Sequence, residues 1–161
     1  ILYLKKIFSK INYRNIQKMN LHTPEVSEFS AVIAKELKVR KIIKIFQKKY
    51  VEQKKTIVLE GRDMSKIFHN ADVKFFVVCK PLKIAAKRRW LQLKNSKKNI
   101  SLNQVLKDLK KRDFMDRNRK HSPLERDQES VYINTAKLNI KAVLDKMSKI
   151  IGKRLKNKYG S

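Results

Sequence analysis

The sequence is poor in the residues that build disulfide-rich, turn-rich or membrane-spanning proteins. Its 161 residues include one cysteine, three glycines and three prolines. A single cysteine excludes an internal disulfide framework and suits a reducing compartment. No run of 18 uncharged apolar residues occurs, and no secretory signal is visible, so we expect no transmembrane helix and a cytoplasmic location.

Acidic residues are also scarce. The chain has 14 Asp and Glu against 41 Lys and Arg, which gives a net charge of +27. Such an excess attracts polyanions, so RNA binding is one interpretation. The other is a compositional excess of lysine on solvated faces, because the lysines are spread along nearly the whole chain and no nucleic-acid-binding motif accompanies them. Both interpretations stay open.

The remaining composition is that of a folded domain with alternating helices and strands. Apolar residues make up 42% of the chain, enough for a core of its own. Three short runs rich in β-branched or aromatic residues predict buried parallel strands: "TIVLE" (56–60), "VKFFVVC" (73–79) and "VYINT" (131–135). Helical periodicity predicts helices over 1–9, 24–37, 39–51, 81–94, from 102 onward, and 139–155.

Local signals refine this α/β prediction, a parallel sheet flanked by helices. Thr23 and Ser101 are predicted N-caps, and Pro24 follows Thr23 at a first helical position. The polar segments 61–72, 95–99 and 117–130 are predicted loops, and residues 11–24 a short strand and loop. Cys79 lies within an apolar run, so we expect it to pack in the core.

Two clusters mix arginine with aspartate. Arg62 and Asp63 follow the predicted strand 56–60, and ligands of open α/β sheets bind beyond the carboxyl ends of strands. In "KRDFMDRNR", Arg112, Asp116 and Arg119 are spaced to share one helix face. The planar guanidinium of arginine can bind phosphate with two hydrogen bonds. A carboxylate accepts hydrogen bonds from hydroxyl or amino groups. A helix face that carries both groups therefore suits a nucleotide. The alternative is an ordinary salt-bridged helix surface.

A resemblance to a known family joins these clusters. The segments "EGRDMSKIFHNADVKFF", "KRRWLQL", "KDLKKRDFMDRNRKHSPL" and "YINTAKLNIKAV" occur in the order and spacing of bacterial cytidylate kinases, and "TPEVSEFSAVIAKELKVRKI" resembles the family's monophosphate-binding region. The similarity spans about residues 23–151. It implies the fold of the P-loop nucleoside monophosphate kinases, and phosphoryl transfer from ATP, with magnesium, to CMP or dCMP, giving CDP or dCDP.

The resemblance also implies roles for residues of the CMP site. Asp63 matches an aspartate that accepts a hydrogen bond from the cytosine amino group, and Arg62 its neighbour in the monophosphate site. Arg40 matches an arginine near the cytosine. Arg112 and Asp116 match lid residues that contact the ribose and phosphate.

Further arginines match positions on the nucleotide-phosphate side. Arg88 and Arg89 match an arginine pair there, and Arg119 matches an arginine at the transferring phosphates. The resemblance therefore implies that Arg112 and Arg119 are the catalytic residues. No metal ligand is predicted from the protein, and the expected partners are CMP or dCMP and ATP, bound by a monomer.

The sequence also departs from the family pattern. Ala31 replaces a base-reading serine, Met115 an arginine and Asn134 an aspartate. No GxxxxGK[ST] phosphate-binding loop occurs anywhere in the sequence. We therefore expect an N-terminally truncated chain that binds a monophosphate weakly and does not turn over ATP.

The expected organisation is a single partial domain, 1–161. Its expected parts are a monophosphate-binding region (1–54), a core of sheet and helices (55–94 and 131–161) and a lid (95–130). The alternative function is that of a non-catalytic, kinase-derived basic protein that binds RNA or a larger assembly.

Overall fold

The computed structural model describes residues 6, 19, 21, 23–95 and 100–160. The predicted helix over 1–9 and most of the predicted strand and loop before Pro24 lie outside the described residues, as does most of the predicted break at 95–99. The described elements, in chain order, are α1 (Pro24–Ile33), α2 (Leu37–Glu52), α3 (Met64–Ile67), β1 (Phe75–Val78), α4 (Leu82–Asn95), α5 (Leu102–Asn118), β2 (Val131–Asn134) and α6 (Ile140–Tyr159).

Side-chain caps fix where three of the helices begin. The Val26 amide donates to Thr23 Oγ1 at 3.2 Å, and the Gln104 amide donates to Ser101 Oγ at 3.1 Å, so both predicted N-caps are confirmed. Asn139 caps α6 in the same way, accepting from the Ala142 amide at 2.8 Å. That helix ends at Gly160, whose φ of 73° lies in the left-handed region where glycine is favoured.

The described sheet has two strands, β1 and β2, which run parallel with Phe75 opposite Val131 and Val78 opposite Asn134. Ile133 at the centre of β2 is fully buried. Parallel neighbours need a crossover connection, which here contains α4 and α5. The predicted α/β class, a parallel sheet with flanking helices, is confirmed.

The predicted strand over residues 56–60 is wrong. No residue of this segment belongs to a strand, and the sheet of the described residues contains only β1 and β2. Val58 is 91% exposed, whereas Ile57 and Leu59 are half-buried. The segment is therefore covered on one side only and has no described neighbour to complete a hydrogen-bonded ladder. The predicted loop over 61–72 also contains the single helical turn α3.

The chain divides into two compact units. The first comprises residues 1–62 and 114–124, and the second residues 63–113 and 125–161. In the first unit, Ala31 and Ile42 are the described buried apolar residues. In the second, α4 and α5 share an apolar cluster of Ala86, Leu93 and Val105, which Trp90 joins while donating to the Ile100 carbonyl at 2.9 Å. None of the described helices is both long and apolar enough to cross a bilayer.

Candidate functional site

Arg62, Asp116 and Arg119 meet in the first unit. Asp116 lies in the last turn of α5, and its two carboxylate oxygens take different arginines. Arg62 Nη1 lies 3.0 Å from Oδ2, and Arg119 Nη1 lies 3.3 Å from Oδ1. The structure thus joins the Gly-Arg-Asp motif to the arginine-rich end of α5, two clusters that are far apart in the sequence.

The chain after α5 folds back to hold this ion-pair cluster. Arg119 Nε donates to the Ser122 carbonyl at 2.7 Å, and the Leu124 amide donates to the Asp116 carbonyl at 2.7 Å. Ser122 turns the chain with a φ of 49°. Backbone hydrogen bonds therefore fix the end of α5 and the segment that follows it.

The three charged groups differ sharply in exposure. The side chains of Arg119 and Asp116 are 5% and 7% exposed, and that of Arg62 is 31% exposed. Burial strengthens the attraction between opposite charges but also requires that each charge keep a partner. Within the cluster, Arg62 is consequently the group most accessible to an anion from solution.

Arg40 has a local structural contact in the same unit. Its Nη1 donates to the carbonyl of Ala34, the residue that ends α1, at 3.2 Å. The guanidinium thus caps a helix C-terminus, where a positive charge is favourable. Ala31 is a buried residue of α1.

Arg88 is held against the segment that follows β2. Its Nη2 donates to the carbonyls of Thr135 at 2.9 Å, Ala136 at 3.3 Å and Leu138 at 3.0 Å. Its Nη1 also lies 3.8 Å from Cys79 Sγ. Cys79 is half-buried, so it is more exposed than the predicted position in the core. These bonds tie α4 to the connection between β2 and α6.

The other predicted site residues belong to the second unit. Arg89 donates to Gln92 Oε1 on its own helix at 3.4 Å. The Asp63 carbonyl accepts from the amides of Lys66 and Ile67, and Asp63 is half-buried where it precedes α3. Arg112 is half-buried on α5. Among the predicted residues, Arg62, Asp116 and Arg119 meet in one ion-pair cluster.

Asn134 has a structural role that the sequence did not reveal. Its Oδ1 accepts from the Lys80 amide at 3.0 Å and the Ala136 amide at 3.2 Å, while its Nδ2 donates to the Lys80 carbonyl at 3.0 Å. The amide therefore pairs both backbone groups of Lys80, which precedes a cis peptide bond to Pro81. The one sequence signal was the departure from aspartate, because an asparagine amide can both donate and accept whereas an ionised carboxylate only accepts.

A second group of ion pairs lies at the amino ends of β1 and β2. Lys74 Nζ is 2.6 Å from Glu129 Oε2 and 3.5 Å from Asp127 Oδ1, and its side chain is only 8% exposed. The hydrogen bond that Lys74 donates to Glu129 raises the pKa of Lys74 above its ordinary value of 10.5, since it stabilises the protonated form. The carboxylates are occupied by this lysine. Among residues 6, 19, 21, 23–95 and 100–160, no three His, Cys, Asp or Glu side chains group as a metal site would require.

Comparison with known proteins identifies the family. Residues 4–153 match the family described as Cytidylate kinase. The chain belongs to the cytidylate kinase family. It is 36% identical over 135 residues to the cytidylate kinase of Clostridium botulinum (strain Loch Maree / Type A3), which covers 83% of this chain and 59% of that protein.

Two more relatives agree with this assignment. Cytidylate kinases of Syntrophotalea carbinolica and Geobacter sulfurreducens are 34% and 33% identical over 135 residues, which cover 83% of this chain and 57% of each relative. The chain thus spans less than two thirds of the length of the curated relatives it matches. The resemblance inferred from the sequence motifs is confirmed at the level of the family.

Proposed function

We propose that these residues form the CMP-recognising part of a cytidylate kinase, which transfers a phosphoryl group from ATP to CMP or dCMP. The observation that carries the proposal is the contact of Arg62 with Asp116, which Arg119 also contacts. Arg62 is the more exposed of the two arginines on Asp116, and we assign it to the dianionic monophosphate. An ordinary surface ion pair would have no reason to join these two motifs.

The reaction needs positioning and charge neutralisation rather than covalent chemistry by the protein. A phosphate oxygen of CMP forms a bond to the γ-phosphorus of ATP, and the bond from that phosphorus to the β-phosphate oxygen breaks. CMP becomes CDP, and ATP leaves as ADP. We assign Arg62 to the acceptor phosphate. From the family resemblance we assign Arg112 to a further phosphate contact and Asp63 to the cytosine amino group.

Arg119 needs a rearrangement before it can reach a phosphate. Its guanidinium is 5% exposed and donates to the Ser122 carbonyl at 2.7 Å. We assign this arrangement to the nucleotide-free state. Transferring phosphates would replace the Ser122 carbonyl as the acceptor, and residues 119–124 would move with the arginine.

Magnesium fits this chemistry as a companion of ATP. In such sites Mg²⁺ keeps several waters and is bound mainly through substrate phosphates, so a cluster of protein carboxylates is not required. When bound, the ion neutralises charge that develops on the transferring phosphoryl group. Arg88 and Arg89 are the arginines of α4 that we assign to the nucleotide-phosphate side.

A binding experiment on the 161-residue chain tests the proposal, because the sequence contains no GxxxxGK[ST] to cradle ATP phosphates. We expect calorimetric titration of the chain, which we propose is a monomer, to detect CMP, with UMP and AMP at least tenfold weaker. Arg62→Gln should weaken CMP binding at least tenfold. The matched control is Arg154→Gln, an exposed arginine of α6.

Two further measurements complete the test. A coupled assay for ADP should show no turnover by the chain alone. No detectable CMP binding, or equal binding of CMP, UMP and AMP by a chain that circular dichroism shows to be folded, would overturn the proposal.

A further inference from the structure

Helix α6 carries a line of lysines that the kinase reaction does not use. Lys146, Lys149, Lys153 and Lys156 are all exposed. Their three- and four-residue spacing places them on one side of the helix, over roughly 15 Å at 1.5 Å per residue. We call these four residues the lysine ridge.

The ridge is not neutralised by the protein. Helix α6 contains seven Lys or Arg and a single acid, Asp145. Lys158 of the same helix lies outside the ridge and pairs with Asp72. In the described part of the chain, no carboxylate forms an ion pair with any of the four ridge lysines.

The surroundings of the ridge favour a charged polymer over a lipid bilayer. The neighbours of the ridge on the helix surface include Asp145, Gly152 and two half-buried apolar residues, Val143 and Ile150. None of the exposed large apolar residues of α6 stands among the four lysines. The exposed Ile140 and Leu144 lie on a different side of α6. A membrane-binding helix needs apolar side chains that enter the acyl region, whereas a phosphate backbone needs only cations.

On α2, which is also rich in lysine, exposed apolar residues stand among the lysines. On α2, Lys41, Lys44 and Lys48 share a face with Leu37 and Ile45, which are 42% and 55% exposed. Apolar groups among the lysines suit contact with protein at least as well as contact with phosphate. The ridge on α6 is the more specific candidate for a polyanion.

A further basic group extends the ridge toward the carboxyl ends of the strands. Lys146 lines a shallow pocket of about 240 Å³ together with Lys80 and Lys137. The cations thus continue beyond the helix in one direction. A continuous positive track of this kind guides the backbone of a nucleic acid.

We propose that the lysine ridge binds the phosphate backbone of single-stranded RNA without regard to sequence. One line of cations matches one line of phosphates, whereas a duplex presents two strands. No aromatic ring stands among the ridge lysines to stack on bases, so recognition is of the backbone alone. RNA is the nucleic acid that cells hold chiefly as single strands.

Fluorescence anisotropy with a labelled 20-nucleotide RNA of mixed sequence tests the proposal. The ridge variant Lys146→Gln, Lys149→Gln, Lys153→Gln, Lys156→Gln should bind at least tenfold more weakly at about 0.1 M salt. Its plot of log K against log salt concentration should be shallower by about 3, because each of four phosphate contacts contributes about 0.7 on a single strand. Circular dichroism checks that the variant is folded.

A control variant removes the same charge elsewhere in the second unit: Lys83→Gln, Lys87→Gln, Lys107→Gln and Lys110→Gln, all exposed on α4 and α5. We expect the affinity of this control variant for the RNA to fall less than threefold. An equal loss of RNA affinity in the two variants would show that binding follows net charge, and it would overturn the proposal that the lysine ridge is the binding site. So would an absence of RNA binding, a tenfold preference for duplex, or binding only to vesicles that contain phosphatidylserine.

Discussion

Arg62 and Asp116 form an ion pair of 3.0 Å between the Gly-Arg-Asp motif and the last turn of α5. The two residues are far apart in the sequence, so only the packing of their two segments brings them into contact. Asp116 is almost fully buried and contacts Arg119 through its other carboxylate oxygen. The pair therefore serves two ends: it fixes the first unit and it sets the position of the guanidinium proposed to hold a monophosphate.

Asp116→Asn should destabilise the protein through this pair. Replacing the carboxylate by an amide removes the negative charge that both Arg62 and the buried Arg119 guanidinium contact. Loss of one partner of a buried pair typically costs about 3–5 kcal/mol, and we expect about 3 kcal/mol here because Arg62 is partly exposed to water. Urea unfolding gives the free energy, with Asp145→Asn on the exposed face of α6 as the matched control. A change below 0.5 kcal/mol would mean that the cluster contributes little to stability.

Asn134→Asp restores the residue type of the family and should nevertheless lower stability. The carboxylate would keep the two hydrogen bonds from the Lys80 and Ala136 amides but would lose the donor to the Lys80 carbonyl. One lost hydrogen bond is worth about 1 kcal/mol. Asn134→Ala, which loses all three bonds, should be about twice as destabilising in the same thermal or urea unfolding measurement. An Asp variant as stable as the parent would show that the Nδ2 donor is dispensable.

Local chemistry made much of the fold predictable. The hydroxyls of Thr23 and Ser101 marked helix starts because a side-chain oxygen before a helical segment satisfies an amide with no partner in the helix. The strand over residues 56–60 failed for the opposite reason. A strand exists only when a neighbouring backbone supplies the ladder, and apolar, β-branched composition says nothing about whether that neighbour is present.

The site was predictable in composition but not in partnership. The three-residue spacing was enough to predict that Asp116 and Arg119 lie close together, as their ion pair shows, although Arg119 follows the last residue of α5. Spacing could not show that Asp116 reaches Arg62 or that Arg88 is occupied by three backbone carbonyls. Such contacts depend on how distant segments pack. The sequence does not indicate whether an arginine binds a ligand or the backbone carbonyls of a turn.

Lys74 should contribute to stability below pH 10.5 and lose that contribution in stronger alkali. Its pKa in the folded state is raised above 10.5, chiefly by the hydrogen bond that it donates to Glu129. Folding therefore favours the protonated lysine, and the stability from the pair disappears as the pH rises through the folded-state pKa. The free energy of unfolding of the parent minus that of Lys74→Gln should be constant from pH 7 to 10 and should fall above that range. Lys83→Gln, an exposed lysine of α4, should show no such fall, and a difference independent of pH up to 11.5 would contradict the role of the ion pair.

Asp63→Asn should change which pyrimidine the chain binds. The proposed role of Asp63 is to accept a hydrogen bond from the cytosine amino group, and a uracil ring presents a carbonyl oxygen at that position. An asparagine can turn its own amino group toward that oxygen, so the preference for CMP over UMP should fall. Loss of a hydrogen bond to a charged acceptor is worth about 1.5–3 kcal/mol, so CMP should bind at least tenfold more weakly while UMP binding holds or improves. Calorimetric titration with both nucleotides measures the two affinities, and Asp145→Asn serves as the control. A parallel loss for CMP and UMP would place Asp63 in structural support rather than in base recognition.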